Sequence, residues 1–203
     1  LSGASVILNL GNVTDTNAFS KNFGFTDGIA NSILKVGALS GNGVFQASYN
    51  NAGPNLLETG HLNTDTTFSG IIAGGNAGTN LNLTKVGSGT LTLSGANLYS
   101  GTTTISGGVI SIGANNNLGA DSSPVTLNGG TVRTTAGVTN THVLTVGAAG
   151  GAINVATTGQ FFFNTSDLLR GSGALSLTGA GTLTQNTGNL RLNQYNTFSG
   201  DLT

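Results

Sequence analysis

Residues 83–119 read LTKVGSGTLTLSGANLYSGTTTISGGVISIGANNNLG, and this stretch decides the fold of the chain. Within it, Gly89 precedes the alternating run TLTL and Gly108 precedes VISI. The separation of these two glycines matches the length of one turn of a β-helix, roughly 20 residues, whereas helical repeats and propeller blades are longer. The stretch therefore predicts strands that stack turn upon turn.

The same pattern of a glycine followed by a strand-like run recurs on both sides of this stretch. Its six positions are Gly70 (IIAG), Gly89 (TLTL), Gly108 (VISI), Gly130 (TVRT), Gly151 (AINV) and Gly173 (ALSL). A second strand candidate follows about half a turn later, at 81–86, 102–105, 125–127, 143–146 and 161–163. The regular spacing of both sets indicates one continuous ladder of repeats.

Strand alternation predicts which side chains form the core of such a solenoid. Residues two apart in a strand point to the same side, so Leu91 with Leu93, Ile110 with Ile112 and Leu175 with Leu177 are expected to face inward. We therefore predict an all-β fold, a parallel β-helix (β-solenoid) of about ten turns, each of about 19–22 residues. Ten layers at ~4.8 Å would give a rod of ~50 Å.

Composition agrees with this prediction and excludes several classes of protein. The chain has 203 residues with 34 Gly, no Cys, 6% charged residues and a net charge of −1. Basic residues are scattered singly, so we expect no nucleic-acid partner. No apolar run approaches the ~20 residues that span a bilayer, so we expect no membrane insertion by this segment. The alternative, a disordered low-complexity chain, is disfavoured by the 37% hydrophobic residues in alternating runs.

Glycine and asparagine mark the expected corners. Gly-Gly pairs at 107–108, 129–130 and 150–151 suit the left-handed backbone that sharp corners need. The run 115–117 consists of three asparagines, whose side chains could hydrogen-bond from one turn to the next. An ordinary polar loop would explain the same run, and both interpretations stay open at this point.

A second signature is an aromatic residue followed by Ser-Gly. It occurs at 68–70, 99–101 and 198–200. Together with the stretch 83–119, and with GNLRLNQYNTFSG at 188–200, it makes the chain resemble the passenger-associated transport repeat, also called the autotransporter-associated β-strand repeat. The resemblance implies a right-handed parallel β-helix outside the cell, as in bacterial autotransporter passengers and other giant surface proteins.

The resemblance weakens toward the N-terminus, and this suggests two parts. We expect residues 1–67 to be a less regular N-terminal part of the solenoid with loop excursions, and residues 68–203 to hold the regular repeats. The chain lacks a starting Met and a signal peptide, so it is interpreted as a mature product or an internal fragment.

The two ends of the chain complement each other. After Tyr99-Ser100-Gly101 the chain continues TTTISGGVI, and joining the C-terminal end to the N-terminal start gives FSG-DLT-LSG-ASVI. We therefore expect an end-to-end interface formed by Leu1, Ser2, Gly3, Asp201, Leu202 and Thr203. Solenoid ends expose strand edges that need a cap or a neighbour. The alternative is that any cut through a repetitive protein leaves ends that look compatible.

The sequence contains few candidate residues for catalysis or metal binding. The densest titratable group is Glu58, His61 and Asp65, which is consistent with a solvated loop more than with an acid-base or metal site. His142 lies alone beside a strand candidate and is interpreted as a surface or packing residue. No calcium-binding GGxGxDx repeat, phosphate loop or zinc motif occurs in the sequence. We expect no catalytic, cofactor-binding or metal-binding residues, and no cofactor.

Three consecutive phenylalanines form the most unusual apolar feature. In a strand, Phe161, Phe162 and Phe163 cannot all point the same way, so at least one ring must face outward. An outward ring suggests a lateral interface. The alternative is that a flanking loop covers it.

These observations favour a structural protein of the extracellular space or the bacterial cell surface. Our leading hypothesis is one unit of a long fibre or tandem-repeat stalk that assembles with itself end to end. An adhesin-type passenger that binds glycans or a host surface is second, and a carbohydrate-active β-helix enzyme is third.

Overall fold

The computed structural model describes residues 7–9, 33–46, 54–74, 81–121, 123–156, 160–163 and 168–185. This part of the chain contains twenty short strands and one 3-10 helix. The strands are β1 (Ile7–Asn9), β2 (Ile33–Val36), β3 (Ala38–Ser40), β4 (Val44–Gln46), β5 (Asn55–Thr59), β6 (Thr66–Phe68), β7 (Ile71–Ala73), β8 (Leu81–Lys85), β9 (Thr90–Leu93), β10 (Thr103–Ile105), β11 (Val109–Ile112), β12 (Val125–Leu127), β13 (Thr131–Thr134), β14 (Gly137–Asn140), β15 (Leu144–Val146), β16 (Gly151–Val155), β17 (Gln160–Phe163), β18 (Leu169–Gly171), β19 (Leu175–Thr178) and β20 (Thr182–Gln185). The 3-10 helix is Asn115–Leu118.

The strands stack as a β-solenoid, and every strand pair among the described residues is parallel. The first face is a seven-stranded sheet in the order β18-β15-β12-β10-β8-β5-β2, and the second is a six-stranded sheet in the order β19-β16-β13-β11-β9-β6. The predicted all-β solenoid is thus confirmed. No helix among the described residues has the length and apolar content to cross a bilayer.

A third side completes each turn between the second face and the next strand of the first. At its two ends this side is made of strands, β4 with β7 and β14 with β17 and β20. Between them lie the loop 94–100 and the 3-10 helix. The Leu98 N–H donates to the Ile72 carbonyl at 2.8 Å, and the Asn97 N–H donates to the Asn116 carbonyl at 2.9 Å. Backbone hydrogen bonds therefore tie this loop to the turns on either side of it.

The core is built from columns of inward side chains in register. On the first face, Leu83 pairs with Thr103, which pairs with Val125, and the column continues through Leu144 to Leu169. All five are buried, as are Leu91, Leu93, Ile110 and Ile112 on the second face. Burying one aliphatic side chain contributes ~1.5–3 kcal/mol, so the columns supply the main stabilisation. Leu177 pairs with the buried Ile153 and so lies on the inward side as predicted, but it is 36% exposed.

The glycine ladder is correct in its middle and wrong at its ends. Thr90, Val109, Thr131 and Ala152, which follow the four central glycines, pair in succession as expected. The run at Gly70 instead forms β7 on the third side, and Phe68 takes the place next to Leu93. The reason is that the segment 69–80, which joins β6 to β8 by way of the third side, is longer than the corresponding segment 94–102 between β9 and β10.

Two further strand predictions are also wrong in position. The run after Gly173 is shifted by two positions, so that Leu177, and not Leu175, pairs with Ile153. Residues 161–163 do form a strand, but it lies on the third side against β14, and β18 supplies the strand of the first face. Periodicity alone predicted two strands per turn and could not show which turns hold a third.

The number of turns is tested only in part. The longest sheet stacks seven strands among the described residues, and the ten turns expected for the whole chain stay a prediction. Turn length also varies, since the turn from Val125 to Leu144 is shorter than the turn from Leu57 to Leu83. The third side lengthens some turns beyond the predicted range. Since β2 and β5 already belong to the main sheet, ladder pairing begins before residue 68, and the boundary between residues 67 and 68 stays a prediction.

The Gly-Gly corners are confirmed, and the two glycines of a pair serve different purposes. Gly129 has a φ of 105°, which side-chain-bearing residues rarely adopt. A Cβ on Gly130 would lie 2.3 Å from Cγ2 of Ile105 in the preceding turn. In the pairs 129–130 and 150–151 the first glycine therefore makes the corner and the second lets the next strand approach its neighbour, whereas in the pair 107–108 the second glycine has the positive φ.

Candidate functional site

The described surface presents no catalytic constellation, so the candidate site is the third side of the solenoid with the corners that flank it. The titratable group predicted from the sequence lies elsewhere, at the end of β5. There Glu58 Oε1 is 3.0 Å from Lys35 Nζ and 2.8 Å from His61 Nε2. Asp65 does not join them, because its Oδ1 accepts the Thr90 N–H at 2.7 Å. Among the described residues, no three His, Cys, Asp or Glu side chains are placed to hold a metal ion.

Lys85 is a buried polar residue whose side chain hydrogen-bonds across the corner between the first and second faces. It occupies the inward position that follows Leu81 and Leu83 in β8, and it is 1% exposed. Its Nζ donates to the carbonyls of Val86 at 2.7 Å, Gly87 at 3.2 Å and Gly107 at 3.5 Å. Because Gly107 belongs to the next turn, the ammonium group ties two turns together.

The stability of the chain is expected to depend on pH through Lys85. Burial lowers the pKa of Lys85 below its ordinary value, and the Asp65 carboxylate offsets part of that effect. Between the lowered pKa and the ordinary value, the unfolded chain binds the proton more readily, so the free energy of unfolding rises with pH. We expect wild type to gain stability relative to Lys85→Met as pH rises from 7 to 10, measured by urea unfolding.

The matched control for that comparison is Lys35→Met, which removes a 60% exposed ammonium group. The pH slope of its free energy of unfolding is measured over the same range for comparison. Burial also raises the pKa of Tyr99, but that titration is common to all three proteins and cancels. Equal pH slopes for Lys85→Met and wild type would contradict the assignment.

Two buried asparagines connect successive turns of the third side. Asn97 accepts the Ile72 N–H at 2.8 Å and donates to the Asn117 carbonyl at 2.6 Å. Asn117 accepts from the N–H groups of Gly113 and Ala114 and donates to the carbonyl of Gly95 at 2.9 Å. Of the two interpretations of the asparagine run, hydrogen bonding between turns is confirmed.

His142 extends this set of buried hydrogen bonds between turns into the next turn. It is fully buried, with Nδ1 2.8 Å from the Ser123 carbonyl oxygen and Nε2 3.0 Å from the Asn115 carbonyl oxygen. The Asn140 amide donates to the carbonyl of His142 itself at 2.7 Å. The residue therefore packs and bridges the backbone between turns, in agreement with its interpretation as a packing residue.

The aromatic-Ser-Gly signature has one structural meaning at two different places. Phe68 and Tyr99 are both fully buried, and the serine that follows each is exposed. A Cβ on Gly70 would lie 1.9 Å from the Gly43 carbonyl, and one on Gly101 would lie 2.4 Å from the Leu81 carbonyl. The signature thus encodes an anchor, a solvent-facing residue and a close approach to the preceding turn.

The three phenylalanines divide as strand alternation requires. Phe161 and Phe163 are buried in the core with their rings edge to face, at a centroid distance of 5.2 Å. Phe162 points to the other side and is partly exposed. It lines an open cleft of about 260 Å³ with Gly137, Val138, Thr139 and Gln160. Of the predicted lateral interface, only Phe162 is at the surface, and its partner is untested.

The residues of the predicted end-to-end interface lie outside the described part of the chain. They are Leu1, Ser2, Gly3, Asp201, Leu202 and Thr203. The hypothesis of complementary ends therefore stays a prediction from the sequence.

Comparison with known proteins supports the resemblance to the passenger-associated transport repeat. Residues 83–112 match the family model of the passenger-associated-transport-repeat. Over 79 residues, which are 39% of this chain, the sequence is 35% identical to "Adhesin BmaC autotransporter" from Brucella suis biovar 1 (strain 1330). The chain covers 2% of the length of that curated relative. No solved structure matches the chain. The predicted repeat is confirmed, and it lies in the most regular part of the solenoid.

Proposed function

We propose that this chain is a segment of the rigid extracellular rod of a bacterial surface protein, and that such segments join end to end into a fibre or a tandem-repeat stalk. The main support is the continuous parallel pairing of successive turns on two faces of the solenoid. Each turn covers the strand edges of the turn before it, which makes a solenoid suited to long, protease-resistant structures. The passenger-associated repeat at 83–112 supports a role at the cell surface.

The polar interior supports a mechanical role for the chain. Lys85, Asn97, Asn117 and His142 hydrogen-bond to backbone groups of neighbouring turns, at corners that the apolar columns do not reach. Buried polar groups with full sets of partners fix one register and rigidify the structure that they join. These hydrogen bonds between turns oppose the shifts in strand register to which repetitive strands are prone.

The end-to-end proposal predicts concentration-dependent assembly of the 203-residue chain. We expect sedimentation velocity to show growing species, and electron microscopy to show thin fibres. Leu202→Pro, which removes a backbone N–H donor at the predicted joint, should shorten or abolish them. Thr145→Ser, on the outward side of β15, is the control and should assemble as wild type does. Monodisperse monomer at high concentration, without fibres, would refute the proposal.

A second candidate function is adhesion. It is favoured by the match to a protein whose name contains the word adhesin. In this alternative the segment binds glycans or a host surface. Beads coated with the chain would then bind host cells in a saturable manner, and images of the native assembly would show a distinct tip. Beads that bind no better than uncoated ones would exclude adhesion by this segment.

A further inference from the structure

His142 is a fully buried histidine, and both of its ring nitrogens face backbone carbonyl oxygens. Nδ1 is 2.8 Å from the Ser123 carbonyl oxygen, and Nε2 is 3.0 Å from the Asn115 carbonyl oxygen. A neutral imidazole carries one N–H donor and one bare nitrogen that only accepts, whereas an imidazolium carries two donors. A carbonyl oxygen has no hydrogen to donate. The neutral ring can therefore bond to one of these carbonyls, and the protonated ring can bond to both.

The two carbonyls lie at opposite ends of the third side of the preceding turn. Asn115 is the first residue of the 3-10 helix, and Ser123 lies in the corner before β12. The Ser123 contact is the shorter of the two and is buried, whereas the Asn115 contact is partly buried. A neutral ring keeps the bond whose acceptor water cannot reach, because an unpaired buried acceptor is costly. Its single proton is therefore on Nδ1, and the Asn115 carbonyl loses its donor.

A neighbouring carboxylate favours the protonated ring. Asp121 Oδ1 accepts from Asn115 Nδ2 at 2.9 Å, and the backbone carbonyl of Asp121 accepts from Thr141 Oγ1 at 3.2 Å. These contacts bring a negative charge close to both Asn115 and Thr141, which flank the imidazole. Burial opposes a charge on the ring, while two carbonyl acceptors and a nearby carboxylate favour it.

The other segments that pack around the ring add no charge among the described residues. Tyr99 reaches this corner through its carbonyl, which accepts from Ser123 Oγ at 3.1 Å, and burial raises the pKa of its phenol, so that it is neutral at physiological pH. The 3-10 helix, β14 and β15 contain no titratable side chain. Asp167 lies outside the described residues, and it is kept unchanged in every variant below.

We propose that His142 is a proton-dependent link between two turns of the solenoid. Its protonated ring bonds to both Ser123 and Asn115 and holds the two ends of the third side of the preceding turn. Its neutral ring bonds to Ser123 alone and leaves the start of the 3-10 helix free to open. Histidine ordinarily changes its charge between about pH 5 and 8, so acidification of the medium around the rod tightens this side. The proposal does not depend on end-to-end joining or on adhesion.

Nuclear magnetic resonance of the wild-type chain tests the protonation of the ring directly. The chain has two histidines, and His61, whose side chain is 44% exposed and contacts the Glu58 carboxylate, is the internal reference. We expect both ring nitrogens of His142 to carry protons at about pH 5, and Nε2 to have lost its proton at about pH 8. The proposal is wrong if one nitrogen of His142 lacks a proton at the lower pH, or if both keep their protons at the higher pH.

Hydrogen exchange measures the link itself. The Thr141 N–H donates to Asn115 Oδ1 at 3.0 Å, and the Asn117 N–H donates to the Ala114 carbonyl at 3.2 Å, so both amides become accessible when the start of the 3-10 helix opens. After correction for the intrinsic pH dependence of exchange, we expect about tenfold greater protection of these two amides at about pH 5 than at about pH 8. A tenfold change corresponds to about 1.4 kcal/mol.

Two controls make this result specific to the imidazole. The Ser94 N–H, which bonds to the Phe68 carbonyl in an earlier turn, should have the same protection at both pH values. His142→Gln, whose side chain does not titrate, should abolish the pH difference at the two test amides, and His61→Gln should retain it. A pH difference of equal size at Ser94, or one that persists in His142→Gln, would contradict the proposal. If His142→Gln does not fold, the measurement on the ring nitrogens of the wild-type chain decides.

Discussion

Gly95→Ala is expected to lower the free energy of unfolding by about 3 kcal/mol, at the upper end of the cost of overpacking. A Cβ at this position would lie 1.8 Å from the Gly70 carbonyl oxygen and 2.8 Å from the Gly70 carbonyl carbon. Both atoms are backbone, so no side chain can rotate away and the spacing between two turns must increase. Denaturant unfolding followed by far-ultraviolet circular dichroism measures the loss.

Gly137→Ala is the matched control for this substitution. The same methyl group is added on the third side, where it meets no atom within 4 Å. Its effect should stay within about 0.5 kcal/mol of wild type, as for most surface substitutions. If both variants lost the same stability, the cause would be backbone propensity rather than the close approach of turns.

The fold could be predicted because its repeat follows from local sequence patterns. Four central glycine positions, the inward leucines and isoleucines and the Gly-Gly corners all follow from alternation and turn chemistry. The actual strand positions near Gly70 and Gly173, which differ from the predicted ones, could not be found in this way. Their register depends on how long the segments of the third side are, and several segment lengths are compatible with the same alternating pattern.

The same strand alternation could have located two buried polar residues, Lys85 and His142. Lys85 continues the inward positions Leu81 and Leu83, and His142 precedes the inward positions Leu144 and Val146. Alternation therefore places both side chains inside, where a charged or imidazole group needs partners. Their partners are backbone carbonyls of the same or a neighbouring turn, which no side-chain motif reveals.

The candidate surface on the third side was only partly predictable. Alternation required one outward ring among the three phenylalanines, and Phe162 is that ring. The cleft beside it depends on Gly137, one turn earlier in the chain, and on the pairing of β14 with β17.

Asn117→Ala is expected to cost about 3–5 kcal/mol, because it removes three hydrogen bonds from a buried position. The asparagine is 3% exposed, and its amide satisfies two N–H groups of its own turn and the Gly95 carbonyl of the preceding turn. Alanine leaves these groups without a partner and opens a space between the turns. Chemical unfolding measures the total loss, and hydrogen exchange should be faster at the amides of Gly113 and Ala114.

The neighbouring asparagine supplies the control. Asn116 is exposed, so Asn116→Ala should change stability by about 0.5 kcal/mol at most. Asn117→Asp should fall between the two, because a carboxylate still accepts from Gly113 and Ala114 but meets the Gly95 carbonyl without a donor. Asparagine alone among these side chains both accepts and donates at the required places. If Asn117→Ala and Asn116→Ala unfolded at the same denaturant concentration, the stacked asparagines would not hold the turns together, and the apolar columns alone would set the stability of the rod.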